Sequence, residues 1–186
     1  MRISPLDPPY APEIVEHFAK LMPPGMAPLK LFRVVAHNPR VLGRMRRGGL
    51  LDRGSISVRE REIVILRTCA RCGAEYEWGV HVTFFGRQAG FTEQQIRATV
   101  LGGADDAAWT DPDRLLIRLA DALHDTARVP DALWAELVAR WQPAQLIELM
   151  MLAGLYHAVS FLVNGAAVPL EEHAARFPVA EPPSPA

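Results

Sequence analysis

Residues 57–96 read SVREREIVILRTCARCGAEYEWGVHVTFFGRQAGFTEQQI, and the fold turns on how this stretch is read. Ser57 precedes Glu60 by three positions. That is capping-box spacing, in which each side chain satisfies a backbone N–H at a helix start. The helix that follows carries Ile63, Val64, Ile65 and Leu66 and is expected to end at Gly73. A second helix is expected over 75–89, stopped by Gly90, and Thr92 with Gln95 repeats the capping box for a third. The β-branched residues fall within helical periods, and no run alternates polar and apolar as a half-buried strand does.

Working outward, proline, glycine and capping residues punctuate the rest of the chain in the same way. Helices are expected over 11–22, 27–37 and 39–48, ahead of the central stretch, and over 111–126, 130–141 and 142–165 after it. The expected class is all-α, a bundle of about eight or nine helices with no significant sheet. One domain is expected over 1–173, followed by a Pro-rich, disordered tail over 174–186.

The totals narrow the function. The chain has 186 residues, enough for one domain with a substantial core. Lys+Arg is 20 and Asp+Glu is 21, a net charge of −1. Such a balance gives no general attraction to nucleic acid or to an anionic membrane. The one dense basic run, Arg44-Met45-Arg46-Arg47, reads as a solvated helix face. The opening MRISPLDPPYAPEIVEHF lacks the apolar region of a secretory signal. The apolar stretch 149–163 is interrupted by Tyr156, His157 and Ser160. It falls short of the ~20 residues that cross a bilayer, and suits a buried helix or a subunit interface better. Two cysteines three positions apart fit a reducing compartment. A soluble cytoplasmic protein is expected.

On a helical wheel of about 100° per residue, Glu60, Arg67 and Arg71 fall together as a solvent stripe. Glu62 lies in line with Leu66 and Cys69. A carboxylate on a core-facing side is costly unless something pairs with it. The alternative is a helix-start glutamate that favours the helix dipole. Glu77 and His81 are four apart, hence neighbours on one helix. Together they make either a proton-transfer unit or a surface pair of small energetic value. Cys69 and Cys72 share one helical side near a helix end, where the dipole opposes thiolate, so they are either reactive thiols or small buried residues. Trp78 is expected in the core, His124 at an exposed helix end, and His157 as a hydrogen-bonded core or interface histidine.

The 57–96 stretch resembles the carboxymuconolactone decarboxylase / alkylhydroperoxidase-D-like (AhpD-like) family. So do TDPDRLLIRLADALHDTARVPDALWAELVARW at 110–141 and LYHAVSFLVNGAAVPLE at 155–171, and the resemblance covers residues 28–172. It implies an AhpD-like helical bundle, and it supports the fold more than any one substrate. The family's peroxidase members carry a glutamate, then Cys-x-x-Cys twelve residues on, then a histidine four after the second cysteine. Anchored on His81, that pattern places Glu62 correctly but puts Ala74 and Glu77 where the cysteines belong. The Cys69–Cys72 pair lies five residues early, with no histidine in register.

The Ala-Glu-Tyr-Glu-Trp-x-x-His string instead resembles the decarboxylase-like, non-thiol branch. It implies a site of Glu62, Tyr76, Glu77 and His81, with His81 as the main acid/base, Glu62 orienting it, and Tyr76 and Glu77 lining the pocket. The implied chemistry is proton transfer on a small carboxylated lactone or related carbonyl compound, with no cofactor. Glu62, Glu77 and His81 offer metal-ligand chemistry, but no metal is expected there. The resemblance also implies a homo-oligomer: a dimer, trimer or hexamer. Two alternatives stand beside this reading. One is a thiol peroxidase or disulfide reductase of peroxiredoxin type that uses Cys69 and Cys72. The other is a non-catalytic helical binding or assembly protein.

Overall fold

The computed structural model describes residues 1–180. Its helices are α1 Pro12–Leu21, α2 Lys30–Val35, α3 Pro39–Arg47, α4 Val58–Arg71, α5 Glu75–Phe85, α6 Glu93–Leu101, α7 Asp111–Thr126, α8 Asp131–Val138 and α9 Pro143–Gly165. Among the described residues there is no strand, so the expected all-α class holds. The capping boxes at Ser57–Glu60 and Thr92–Gln95 both form.

The turn between α4 and α5 sets the centre of the molecule. Gly73 takes φ +62°, a conformation open to glycine at little cost. Its N–H donates to the Ala70 carbonyl at 3.0 Å, and the Ala74 N–H donates to the Cys69 carbonyl at 2.9 Å. This pair of bonds is a Schellman motif, which ends α4 and turns the chain back along it. The regular part of α5 ends at Phe85 rather than at 89, yet the backbone keeps winding. A second Schellman motif closes it at Gly90, with Phe91 N–H donating to the Gly86 carbonyl and Gly90 N–H to the Arg87 carbonyl, both at 3.1 Å. α2 is shorter than expected because Pro28 biases Ala27 away from helical geometry, and Leu29 caps the helix in an extended conformation.

α4 is the central helix and packs against α5, α6, α7 and α9. Residues 61–69 are all buried. The solvent stripe expected on this helix is therefore wrong at Arg67, which is only 6% exposed. Packing on several sides leaves α4 no open face there, and the guanidinium is satisfied internally. It donates from Nε and Nη2 to the two carboxylate oxygens of Asp121 on α7, at 2.7 and 3.0 Å, and from Nη1 to the carbonyls of Thr99 and Gly102. Two parallel bonds to one carboxylate are the strong geometry for such a pair.

α9 exceeds the apolar stretch read from the sequence and is long and apolar enough, by length and composition, to cross a membrane. It packs here as a core helix: Leu146, Leu149, Leu152, Tyr156 and Val163 are buried. Ile147, Met151 and Phe161 remain exposed on its other side.

The packed body also reaches beyond residue 173. Ala174 is buried, the Ala175 N–H donates to Thr83 Oγ1 at 2.9 Å, and Phe177 meets Trp78 edge-on at 5.2 Å. The rest of the expected tail, 181–186, lies outside the described residues. This C-terminal strap crosses α5 at Gly79, where a Cβ would lie 2.2 Å from the Ala175 carbonyl oxygen. Gly79→Ala is therefore expected to lower stability by about 1–3 kcal/mol, the usual cost of overpacking, and to speed hydrogen exchange at Ala175. Chemical denaturation and native-state exchange measure the two effects.

Candidate functional site

The return of α5 along α4 brings Glu62, Glu77 and His81 together. Glu62 is fully buried, His81 is 3% exposed and Glu77 6% exposed. His81 Nδ1 lies 2.7 Å from Glu62 Oε2, and His81 Nε2 lies 3.4 Å from Glu77 Oε1. Glu62 is thus core-facing and paired, while Glu77 and His81 are buried rather than a surface pair.

The other Glu62 oxygen is held by a neighbour that sequence reasoning passed over. Arg61 Nε donates to Glu62 Oε1 at 2.8 Å, and its Nη1 donates to the Leu51 carbonyl at 2.8 Å. The guanidinium also sits over the Phe85 ring, 4.9 Å from its centre. Arg61 is 7% exposed. Its placement beside Glu62 in the sequence was the available signal. The imidazole is walled by Tyr156, edge-on at 4.9 Å, and by Phe85 at 5.2 Å.

Two positive and two negative side chains thus form one buried row: Arg61, Glu62, His81, Glu77. Burial works against a charge on His81, but the field of Glu62, its hydrogen bond and the contact with Glu77 outweigh it, and the pKa is pushed up to about 9. At neutral pH the ring is an imidazolium holding a carboxylate on each side. Burial, with the nearby Glu77 and Glu62 carboxylates, pushes the Tyr156 hydroxyl well above its usual range.

The row runs between two cavities. Arg61 and Phe85 line one of about 340 Å³. Glu77 and Tyr156 line another of about 430 Å³, together with Phe32, Leu50, Leu155 and the more exposed Arg46 and Arg47. Leu51 and Asp52 border both. Glu77 Oε2 is buried and has no hydrogen-bond partner among the described residues. An unpaired buried carboxylate oxygen is costly, and this one belongs to a residue that lines the larger cavity.

Tyr76 is engaged elsewhere. Its hydroxyl donates to Glu171 Oε1 at 2.7 Å and accepts from the Leu31 N–H at 2.9 Å. It ties α5 to α2 and to the C-terminal strap. Trp78 is core, with Nε1 donating to Thr99 Oγ1 at 2.9 Å.

The thiols are not members of this row, although Glu77 and Glu62 act electrostatically on Cys69. Cys69 and Cys72 are both free. Cys69 is fully buried, and burial together with Glu77 pushes its thiol well up. Cys72 caps the C-terminal end of α4, and burial raises its thiol as well. Both shifts oppose the thiolate that a peroxidase or disulfide reductase requires. His124 is half-buried rather than at an exposed helix end, and it contacts Cys72 and His157.

Residues 39–111 match the model of the carboxymuconolactone decarboxylase family, a narrower span than the 28–172 read from the sequence. No curated protein sequence matches the chain. Among solved structures, one similar chain comes from Agrobacterium tumefaciens. It is a protein of unknown function described in relation to the antioxidant defence protein AhpD. It has a TM-score of 0.67 at 17% identity, covering 74% of this chain and 94% of that one. Another is a cysteine-to-alanine variant of the debrominase Bmp8 in complex with 2,3,4-tribromopyrrole. It has a TM-score of 0.75 at 13% identity, covering 93% of each chain. At these identities the likeness is one of fold. The family resemblance and the AhpD-like helical fold are thus both found.

The raised His81 pKa has a consequence for stability. The folded protein holds this proton more tightly than the unfolded chain, whose histidine titrates near 6.5. The stabilisation is therefore complete below about pH 6.5 and is lost as pH rises through about 9. Denaturation midpoints should fall across that window for the wild type and much less for His81→Gln. NMR titration of the His81 ring checks the assignment directly.

Proposed function

We propose that this chain, which carries carboxymuconolactone decarboxylase family sequence on an AhpD-like fold, is a cofactor-independent acid/base enzyme for a small carboxylated lactone or related carbonyl compound. One observation carries the reading. Glu77 reaches His81 with one carboxylate oxygen and leaves the other unpartnered, while lining a cavity of about 430 Å³. The cavity has apolar walls for a carbon skeleton, and Arg46 and Arg47 among its lining suit a carboxylate group. A non-catalytic scaffold gains nothing from an exposed cavity beside a buried charged row, and that weighs against the assembly-protein reading.

The geometry shifts the roles expected from the sequence. His81 was expected to be the main acid/base, yet both its ring nitrogens face carboxylates. In this proposal Glu77 is the group that meets substrate, and the His81 imidazolium recharges it. In a decarboxylation, the bond to the substrate carboxylate breaks and CO₂ leaves. The bonding pair stays on the carbon conjugated with the carbonyl. The His81 imidazolium passes a proton to the Glu77 carboxylate, Glu77 delivers it to that carbon, and solvent reprotonates the ring. Lactone isomerisation uses the same relay in both directions, removing a proton beside the carbonyl and returning it elsewhere. Glu62 and Arg61 fix the ring and balance its charge. Tyr76 serves as a tether rather than a pocket residue.

With carboxylated lactones as substrates, Glu77→Gln should reduce kcat by about 10²–10⁴-fold, the usual weight of a positioned acid or base. Cys69→Ser and Cys72→Ser should leave turnover near wild type. CO₂ release and loss of lactone absorbance report the rates. Undiminished turnover in Glu77→Gln, or its loss in the cysteine variants, would turn the assignment toward thiol chemistry.

The proposal extends to assembly as a homo-oligomer in the cytoplasm. Ile147, Met151 and Phe161 give α9 an exposed apolar side, which a second copy would cover. Sedimentation should show an oligomer for the wild type and a smaller species for Phe161→Glu. A monomeric wild type would remove this part of the proposal.

A further inference from the structure

The side chains of Cys72, His124 and His157 meet at one point, contributed by three different helices. Cys72 caps α4, His124 lies in the last turn of α7, and His157 lies within α9. One sulfur or nitrogen from each falls within 4.8 Å of the others. Cys72 Sγ is 3.8 Å from His124 Nδ1, and His124 Nδ1 is 3.0 Å from His157 Nε2. None of the three belongs to the charged row of Arg61, Glu62, His81 and Glu77.

We propose that Cys72, His124 and His157 bind a single borderline-soft divalent metal ion, with zinc the best match. A thiolate and two imidazoles are a donor set that zinc favours. Tetrahedral zinc, with Zn–S about 2.3 Å and Zn–N about 2.0–2.1 Å, separates its ligand atoms by about 3.3–3.6 Å. The 3.8 and 3.0 Å separations lie on either side of that range, and the third pair, Cys72 to His157, lies within 4.8 Å.

The surroundings point the same way. His157 Nδ1 lies 2.7 Å from the Ala153 carbonyl. That contact makes Nδ1 the donor and leaves the Nε2 lone pair directed at His124. A backbone or carboxylate partner of this kind orients metal-ligating histidines. His124 Nδ1 faces both the His157 lone pair and the Cys72 sulfur, and one cation answers both. Arg71, the nearby positive charge, is tied to Asp121 and Asp125 at 3.2 and 2.6 Å. Binding converts the Cys72 thiol to thiolate and releases its proton to solvent. Three protein ligands leave a fourth position for water. His124 and His157 border a cleft of about 380 Å³ alongside Leu123, Met150 and Gly154.

The test uses the full chain after chelation, titrated with Co²⁺ and then with Zn²⁺. One Co²⁺ per chain should bind with the intense visible bands of four-coordinate cobalt and a thiolate-to-cobalt charge-transfer band. Zn²⁺ should abolish both. Cys72→Ser and His157→Ala should each weaken binding at least about 100-fold, with the charge-transfer band lost in Cys72→Ser, whereas His173→Ala at an exposed histidine should match wild type. Cys72 is half-exposed, so its serine variant provides a folded comparison even if a histidine variant is unstable. A weak six-coordinate spectrum, or binding indifferent to Cys72→Ser, overturns the proposal. Neither result bears on Glu77.

Discussion

A carboxylate with no exposure at all sits in the helix that everything else packs against. The surrounding structure has to accommodate Glu62. Removing such a charge from water costs several kcal/mol unless close partners replace the lost hydration. Here Arg61 takes one oxygen and His81 the other. Meeting that need fixes the register of α5 on α4, since no other side chain on α5 provides the imidazole. It also fixes the loop at Leu51, whose carbonyl receives the Arg61 guanidinium. The site and the core are here one object, and the pairing that makes Glu62 tolerable is the pairing that charges His81.

Much of this was legible beforehand because it rests on local rules. The capping boxes, the prolines at helix starts and the glycine stops depend on a few neighbouring residues, and they placed the helices to within a few residues. The alignment of Glu62 with Leu66 and Cys69 already marked a core-facing carboxylate. What escaped depends on long-range packing. Arg67 looks solvent-facing on a wheel, and only the presence of Asp121 on a distant helix makes its burial tolerable. Tyr76 sits beside Glu77 in the sequence, but its direction is set by Glu171, far along the chain. The cavity lined by Glu77 draws on α2, α3, the loop after it and α9, and no single stretch encodes it.

The cysteines show how far a spacing motif can mislead without its context. Cys-x-x-Cys is reactive where a helix begins, because free N–H groups and the dipole favour thiolate. At the end of α4 the dipole is reversed and burial works in the same direction. Cys69 is fully buried, close enough to Ser160, Glu77 and Glu62 for each to act on its thiol, and Cys72 turns toward two imidazoles. The same four-residue spelling thus puts one sulfur inside the core and the other at its edge.

The strap crossing α5 at Gly79 gives the segment from Glu75 to His81 two masters. Glu77 and His81 answer to the charged row, while Glu75, Tyr76, Trp78 and Gly79 answer to the strap through Phe177, Glu171 and Ala175. Scarcely any position along those two turns can drift without a penalty, and the penalties come from opposite flanks. Retuning the chemistry by substitution is thus easier from the walls contributed by α2 and α9 than from the helix that bears the reactive groups.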